Sequence, residues 1–242
     1  MSVYYSIVIP VKDEAENIES LLEEIEAVMT ELPSASKKPW ELIIVEDGSQ
    51  DQSPQILRRL LQTKDYLRVL FFSKNFGQSS AFDAGFRNAK GEFVITLDGD
   101  GQNAPSDIPK FIENAQQADL ICGWRKNRKD PISKKIISKL ANSLRSNLCK
   151  DGVHDTGCSL KLYRKSCLDK IKLFEGMHRF LPALFVMEGF TVLEIPVQHR
   201  ARRAGKSKYN FFNRFLGPLS DMFAIMWMRK RSLSYTIEQE IP

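Results

Sequence analysis

A chain of 242 residues, 43% hydrophobic and 27% charged, can bury a full core, which excludes a low-complexity or fibrous protein. Its net charge of +5 hides an asymmetry: residues 1–120 hold 11 Lys or Arg against 20 Asp or Glu, and residues 121–242 hold 24 against 10. A basic half suits phosphate-bearing substrates, an anionic membrane surface or nucleic acid, and charge alone does not choose among them.

In chain order, Ser6–Pro10 reads as a buried strand, and Ala15–Glu31 as a helix with Ile18, Leu21, Leu22, Ile25 and Val28 on one face. Strand Glu41–Glu46, helix Pro54–Gln62, strand Leu67–Phe72 and helix Gln78–Asn88 follow. Strand Phe93–Leu97, helix Pro105–Gln117 and strand Asp119–Gly123 complete the run. This alternation predicts an α/β fold: a mostly parallel sheet with helices on both faces, binding its ligands at the carboxyl ends of the strands.

Between Trp124 and Lys150, nine bases face one acid, Asp130, and Ser133–Leu148 reads as a helix with a basic face. Residues 210–231 are densely apolar and aromatic, with Gly217-Pro218 expected to break or kink a helix and Arg229-Lys230-Arg231 at the end. Such a segment suits an amphipathic membrane-interfacial anchor; its competitor is a core or dimer helix, which leaves a homo-oligomer open. Residues 232–242 read as a frayed polar tail. Met1–Tyr5 carries no cationic lead into an apolar core, so no secretory signal is expected and synthesis should finish in the cytosol. Cys122, Cys149, Cys158 and Cys167 form no Cys-x-x-Cys pair, which fits reduced buried thiols better than a zinc site. Apolar runs such as Met222–Met228 are far short of the roughly 18–20 residues of a spanning helix.

Four loops should meet on one rim: Pro10–Glu14, Glu46–Ser49, Ser73–Gln78 and Leu97-Asp98-Gly99-Asp100-Gly101-Gln102. In the last, two carboxylates one residue apart are each followed by a glycine that lets the chain turn. A straight strand would hold them too far apart to chelate one ion, so the chain must bend, and Mg²⁺ or Mn²⁺ suits the oxygen donors. Alone, the hexapeptide is equally a solvated turn. An EF-hand fails, because Asn103 occupies the turn-glycine position and Pro109 that of the bidentate Glu. Neither Gly-x-Gly-x-x-Gly after the first strand nor a phosphate-loop motif is present, which weighs against Rossmann dehydrogenases and P-loop enzymes. What remains is a set of carboxylates able to hold a nucleoside through Glu14 or Asp47 and its phosphates through a metal.

Ile9–Glu14, Val45–Asp51, Asn75-Phe76-Gly77, Ala84-Gly85 and Asp98–Gln102, in this order and spacing, resemble the nucleotide-sugar-binding half of family 2 glycosyltransferases. The resemblance implies a GT-A fold, with Glu14 and Asp47 at the nucleoside and Asp98, Asp100 and Gln102 at the metal and diphosphate. It also places Pro10, Val11, Glu46 and Gly77 in the donor site. Lys12 stands where an aromatic is common and Glu46 where Asp is usual, both near the nucleoside.

Further on, Asp155–Arg164, Met177–Pro182, Glu194–Val197 and above all Arg202–Tyr209 resemble the polyprenyl-phosphate branch, the dolichol-phosphate mannose synthases and undecaprenyl-phosphate sugar transferases. That implies a lipid-phosphate site of Arg125, Lys134 and Ser138, with Lys134 where Arg is common. It also puts Arg179, Arg202 and Lys208 on the leaving diphosphate or the acceptor phosphate, with Arg202 beside Asp98 and Asp100 in catalysis. By this resemblance residues 1–210 are a glycosyltransferase domain, with a nucleotide-sugar half at 1–123 and an acceptor half at 124–210, and 211–242 an interfacial segment. The implied activity is inverting, metal-dependent transfer of one sugar from a GDP- or UDP-sugar to a polyprenyl phosphate, by a peripheral protein on the cytoplasmic face of a membrane.

Competing readings are a family 2 enzyme with a glycan or protein acceptor and, more remotely, a haloacid-dehalogenase-like phosphatase using Asp98-Gly99-Asp100-Gly101. A nucleic-acid or membrane adaptor would leave the carboxylate loops without a role, so no nucleic-acid partner is expected. His154, His178 and His199 read as structural, His178 the least firmly.

Overall fold

Strands whose side chains are apolar on both faces can be stable only between two layers of helices, and the computed structural model has that arrangement. It describes residues 2–34, 36–126, 151–201, 216–231 and 239. The elements are β1 (Tyr5–Val11), α1 (Ala15–Thr30), β2 (Trp40–Glu46), α2 (Ser53–Leu60), β3 (Leu67–Phe71), α3 (Gln78–Asn88) and β4 (Phe93–Thr96). A 3₁₀ turn (Pro105–Asp107), α4 (Ile108–Glu113), β5 (Leu120–Trp124), β6 (Lys161–Arg164) and α5 (Lys165–Leu168) come next. A second 3₁₀ turn (Met177–Arg179), α6 (Leu181–Met187), β7 (Val192–Pro196) and α7 (Leu216–Lys230) complete the description.

The seven strands form one sheet in the order β3-β2-β1-β4-β6-β5-β7. All neighbours are parallel except β6, which runs antiparallel to both β4 and β5. Alternate residues of each strand feed opposite layers. Ile7 and Ile9 of β1 pack with Ile18, Leu22 and Ile25 of α1 and Phe111 of α4, whereas Val8 joins Phe82 and Phe86 of α3 and Phe185 of α6. Gly85 marks how closely α3 approaches the sheet: a Cβ there would stand 2.3 Å from Cγ1 of Val8.

Several expectations are adjusted. The sequence reading contained neither β6 nor β7, so the sheet has two more strands than the βα alternation provides. The expected helix Pro105–Gln117 is a 3₁₀ turn followed by α4, which ends at Glu113. Beyond it the backbone tightens into i→i+3 turns, with Asn114 N–H on Phe111 and Ala115 N–H on Ile112, while Asn114 Nδ2 donates to the Lys110 carbonyl at 2.7 Å and Gln117 Nε2 to Asn114 Oδ1 at 2.6 Å. Gly217-Pro218 lies at the described start of α7, and the residues from Leu216 to Lys230 form one helix. Met222 and Ile225 of α7 are buried in the α3/α6 layer, while Phe223 and Trp227 are 58% and 61% exposed, so this helix docks on the core and also carries an outward aromatic pair. The expected helix Ser133–Leu148 lies outside the described residues. No helix among the described residues is long and apolar enough to cross a membrane.

Candidate active site

The carboxyl ends of β1, β2, β3 and β4 carry the four rim loops, and hydrogen bonds knit them. Asp13 sits at φ 50°, a left-handed conformation unusual outside glycine, and is held there from both sides. Its N–H donates to Ser49 Oγ at 2.9 Å, and its Oδ1 accepts the Gln50 N–H at 2.7 Å. The N-terminus of α1 is capped from the next loop: Ala15 N–H donates to Asp51 Oδ2 and Glu14 N–H to Ser53 Oγ, each at 3.0 Å. The third loop is tied in at Asp47, whose carboxylate accepts from Phe76 N–H at 2.7 Å, Asn75 Nδ2 at 2.8 Å and Gly77 N–H at 3.0 Å. Gly48 makes this approach feasible: at φ 65°, it lies where a Cβ would stand 2.4 Å from the Asn75 nitrogen. Burial outweighs these bonds and raises the Asp47 pKa above the ordinary carboxylate value.

The fourth loop brings Asp98 and Asp100 to the mouth of a cleft of about 840 Å³. Asp98 accepts from Gln78 Nε2 at 2.8 Å, and Asp100 Oδ1 caps the Gln102 N–H at 3.1 Å, which closes the turn. Burial first, then the Asp100 carboxylate, push Asp98 up to about 6, against a Ser159 hydrogen bond and the charges of Lys161 and Arg125. Among the described residues no group of three or more His, Cys, Asp or Glu could hold a metal. Two carboxylates with the Gln102 amide nevertheless fit a hard divalent ion, which commonly takes its other ligands from substrate phosphates and water. Such an ion would also relieve the charge crowding at Asp98.

Basic residues line the same cleft. Arg125 lines it with its guanidinium forked on Asp155, both side chains nearly buried, and these bonds hold its proton firmly despite burial. Lys161, the first residue of β6, is 2% exposed and donates to the carbonyls of Thr156 and Cys158. It forms no ion pair with a described residue. A buried ammonium satisfied only by carbonyl dipoles leaves a net positive charge in the wall of the cleft. Arg179 lines the same end and is likewise without an ion pair among the described residues.

Of the residues singled out from the sequence, Pro10, Val11, Glu14, Asp47, Gly77, Asp98, Asp100, Gln102, Arg125 and Arg179 line this one cleft. Glu46 does not. It lines an adjoining hollow of about 420 Å³, and its carboxylate accepts the Ser49 N–H at 2.5 Å, bracing the loop. Lys134, Ser138, Arg202 and Lys208 lie outside the described residues. The described residues at 199–200 run beside the Asp98–Asn103 loop: His199 pairs with Asn103 in an isolated bridge, and Arg200 N–H donates to the Gln102 carbonyl at 3.0 Å. Lys161 was missed, because a lysine opening a four-residue strand reads as a solvated end, and so was Ser79, whose bond to His178 joins α3 to the second 3₁₀ turn.

Residues 6–172 match the family model described as Glycosyl transferase family 2. The chain belongs to that family. This glycosyltransferase is 38% identical over 237 residues to the dodecaprenyl-phosphate galacturonate synthase of Rhizobium johnstonii, covering 96% of the chain and 69% of the relative. It is 36% identical over 208 residues to the undecaprenyl-phosphate 4-deoxy-4-formamido-L-arabinose transferase of Pectobacterium carotovorum, covering 85% and 62%. The chain therefore spans about two thirds of the length of these curated relatives, which are polyprenyl-phosphate sugar transferases. Its fold is similar to that of the Pyrobaculum calidifontis mannosyltransferase solved with GDP-Man and Mn²⁺ (TM-score 0.67, 19% identity, 98% of this chain and 66% of that one). It is also similar to glucosyl-3-phosphoglycerate synthase from Mycobacterium tuberculosis, solved with Mn²⁺, UDP and product (TM-score 0.66, 17% identity, 94% and 80%). The GT-A architecture is shared with both, and the family membership displaces the phosphatase reading.

Proposed function

We propose that this glycosyltransferase moves one sugar from a nucleotide diphosphate sugar to a polyprenyl phosphate, with inversion at the anomeric carbon and with Mg²⁺ or Mn²⁺. The observation that carries the reading is one cleft lined both by carboxylates from three of the four rim loops, Glu14, Asp47, Asp98 and Asp100, and by the cations Arg125, Lys161 and Arg179. Glu14 and Asp47 hold the nucleoside, with Pro10, Val11 and Gly77 shaping its seat. Asp98, Asp100 and Gln102 hold the metal, which when bound neutralises charge on the departing diphosphate.

A lipid phosphate is already an anionic nucleophile near neutral pH, so the acceptor side requires positioning more than a general base. Arg125, Lys134 and Ser138 are assigned to that phosphate, and Arg179, Arg202 and Lys208 to the phosphates on either side of the transfer. Both relatives named above carry a polyprenyl phosphate in their names, which favours a lipid acceptor over a glycan or protein. The outward Phe223 and Trp227 of α7, followed by Arg229-Lys230-Arg231, suit peripheral contact with an anionic membrane, on the cytoplasmic face where nucleotide sugars are made.

The test is incubation of purified protein with undecaprenyl phosphate, Mn²⁺ and a panel of UDP- and GDP-sugars, UDP-galacturonate included. Expected is a lipid-linked sugar whose formation stops with EDTA, with Asp98→Ala and with Asp100→Ala. Full turnover in EDTA, or transfer only to water-soluble acceptors, would overturn the reading.

A further inference from the structure

His178 lines the cleft from the 3₁₀ turn Met177–Arg179, with its Nδ1 2.8 Å from Ser79 Oγ. The same hydroxyl oxygen accepts the Gly176 N–H at 2.9 Å. Gly176 is fixed at φ 87°, with Asp221 of α7 so close that a Cβ would meet its Oδ2 at 2.5 Å. The Ser79 hydroxyl has one proton, and His178 Nδ1 is its one acceptor among the described residues. With the hydroxyl donating to Nδ1, the arrangement that uses its proton, a neutral imidazole carries its own proton on Nε2. Nε2 bonds to no described residue and is not sealed off, on a ring that lines the cleft.

The surroundings keep the ring neutral. Burial, then Arg179 on the same turn, then Lys161 on β6 push His178 down to about 3. Both charges that bear on it are cations, and Arg179 and Lys161 line the same end of the cleft.

We propose that His178 is a fixed hydrogen-bond donor and not a base: Nε2–H, oriented by the relay Gly176 N–H to Ser79 Oγ–H to His178 Nδ1, binds an anionic oxygen of the substrate. Arg179 and Lys161 offer that oxygen further donors and no acceptor. The oxygen belongs either to a carboxylate on the transferred sugar or to the phosphate of the lipid acceptor. The inference rests on the glycosyl-transfer reading above, and Ser79 serves as the positioning residue.

Two measurements test it. In ¹⁵N-labelled ligand-free protein, long-range proton–nitrogen spectra should show His178 as the Nε2–H tautomer, unchanged from pH 5 to 8. An Nδ1–H tautomer, or titration near the ordinary histidine value, overturns the proposal. Calorimetry with UDP, UDP-galactose and UDP-galacturonate, and kinetics with undecaprenyl phosphate, then identify the oxygen. For the sugar carboxylate, His178→Ala should weaken UDP-galacturonate about tenfold while leaving UDP and UDP-galactose within about twofold. For the lipid phosphate, it should raise the acceptor KM about tenfold with donor binding unchanged. In either case His178→Gln, which retains a donor, should recover most of the loss, and Ser79→Ala should reproduce part of it. Equal weakening of all three nucleotides, or no rescue by Gln, makes His178 merely structural and overturns the proposal. Wild-type protein that binds no nucleotide would instead sink the glycosyl-transfer reading, while the imidazole spectra would still decide the tautomer.

Discussion

Asp155 grips the Arg125 guanidinium by two parallel bonds, Nε to Oδ2 at 2.7 Å and Nη2 to Oδ1 at 2.9 Å, so the cation meets the cleft already paired. Removing one partner of a buried pair strands the other charge. Asp155→Ala should cost about 3–5 kcal/mol in urea unfolding, whereas Arg125→Met combined with Asp155→Leu should recover much of that loss. An undiminished single variant would mean that water reaches the pair.

Asp98 makes metal-free stability depend on pH. With its folded pKa raised to about 6 from an ordinary 3.8, the folded state binds the proton more tightly than the unfolded one. Its contribution is therefore full below about pH 4 and is lost as pH rises through 6. Asp98→Asn should flatten this slope and raise the Tm of the metal-free protein at pH 7.5 by roughly 2–5 °C. In the wild type, Mn²⁺ should raise Tm at pH 7.5 more than at pH 5, because protonation competes with the ion.

Glu41 behaves in the opposite sense, at the other end of β2. Burial alone would raise its pKa, but bonds from Ser6 Oγ, Arg68 and the Lys90 N–H outweigh it and lower the value. Its stabilisation is present above the ordinary carboxylate range and is lost as pH falls through the depressed value. Glu41→Gln should lower the Tm at neutral pH, flatten the loss of stability on acidification and leave nucleotide binding unchanged, a contrast readable by thermal melts and calorimetry.

At Asp47 the two roles are separable. Asp47→Ala leaves the Phe76 and Gly77 N–H groups without their acceptor, Asn75 Nδ2 keeping the Asp47 carbonyl, and, if the carboxylate also seats the nucleoside, should weaken UDP by at least about tenfold. Asp51→Ala, which removes the bonds to the Ala15 N–H of α1 and the Ser53 N–H of α2, should lower Tm while changing UDP affinity by less than about threefold.

The rim was legible from the sequence because its signals are local. Each of β1 to β4 is a short, mostly apolar run that gives way to a polar loop, and a parallel sheet then gathers those ends by topology alone. Among the cations of the cleft, Arg125 and Arg179 were named only by resemblance, and Lys161 was not named at all. Lys161 and Arg164 bracket a strand only four residues long, and β7 ends in Pro196, so neither has a period to detect. Lys161 acquires its place only when β6 slots between β4 and β5, opposite Thr96 on one side and Cys122 on the other. The Ser79–His178 contact joins residues 99 positions apart, a distance that helical or strand spacing does not report.

The reversed strand β6 also bears on how the molecule can be divided. A chain stopped after residue 123 would present β4, whose four residues are fully buried in the intact sheet, as an open edge with unpaired N–H and carbonyl groups. β5 would have lost the strand that connects it to the rest. Exposed apolar edges of this kind template pairing between molecules. A nucleotide-binding half expressed by itself should therefore precipitate, and grafting a new acceptor half onto it would succeed only if the graft supplies its own reversed strand.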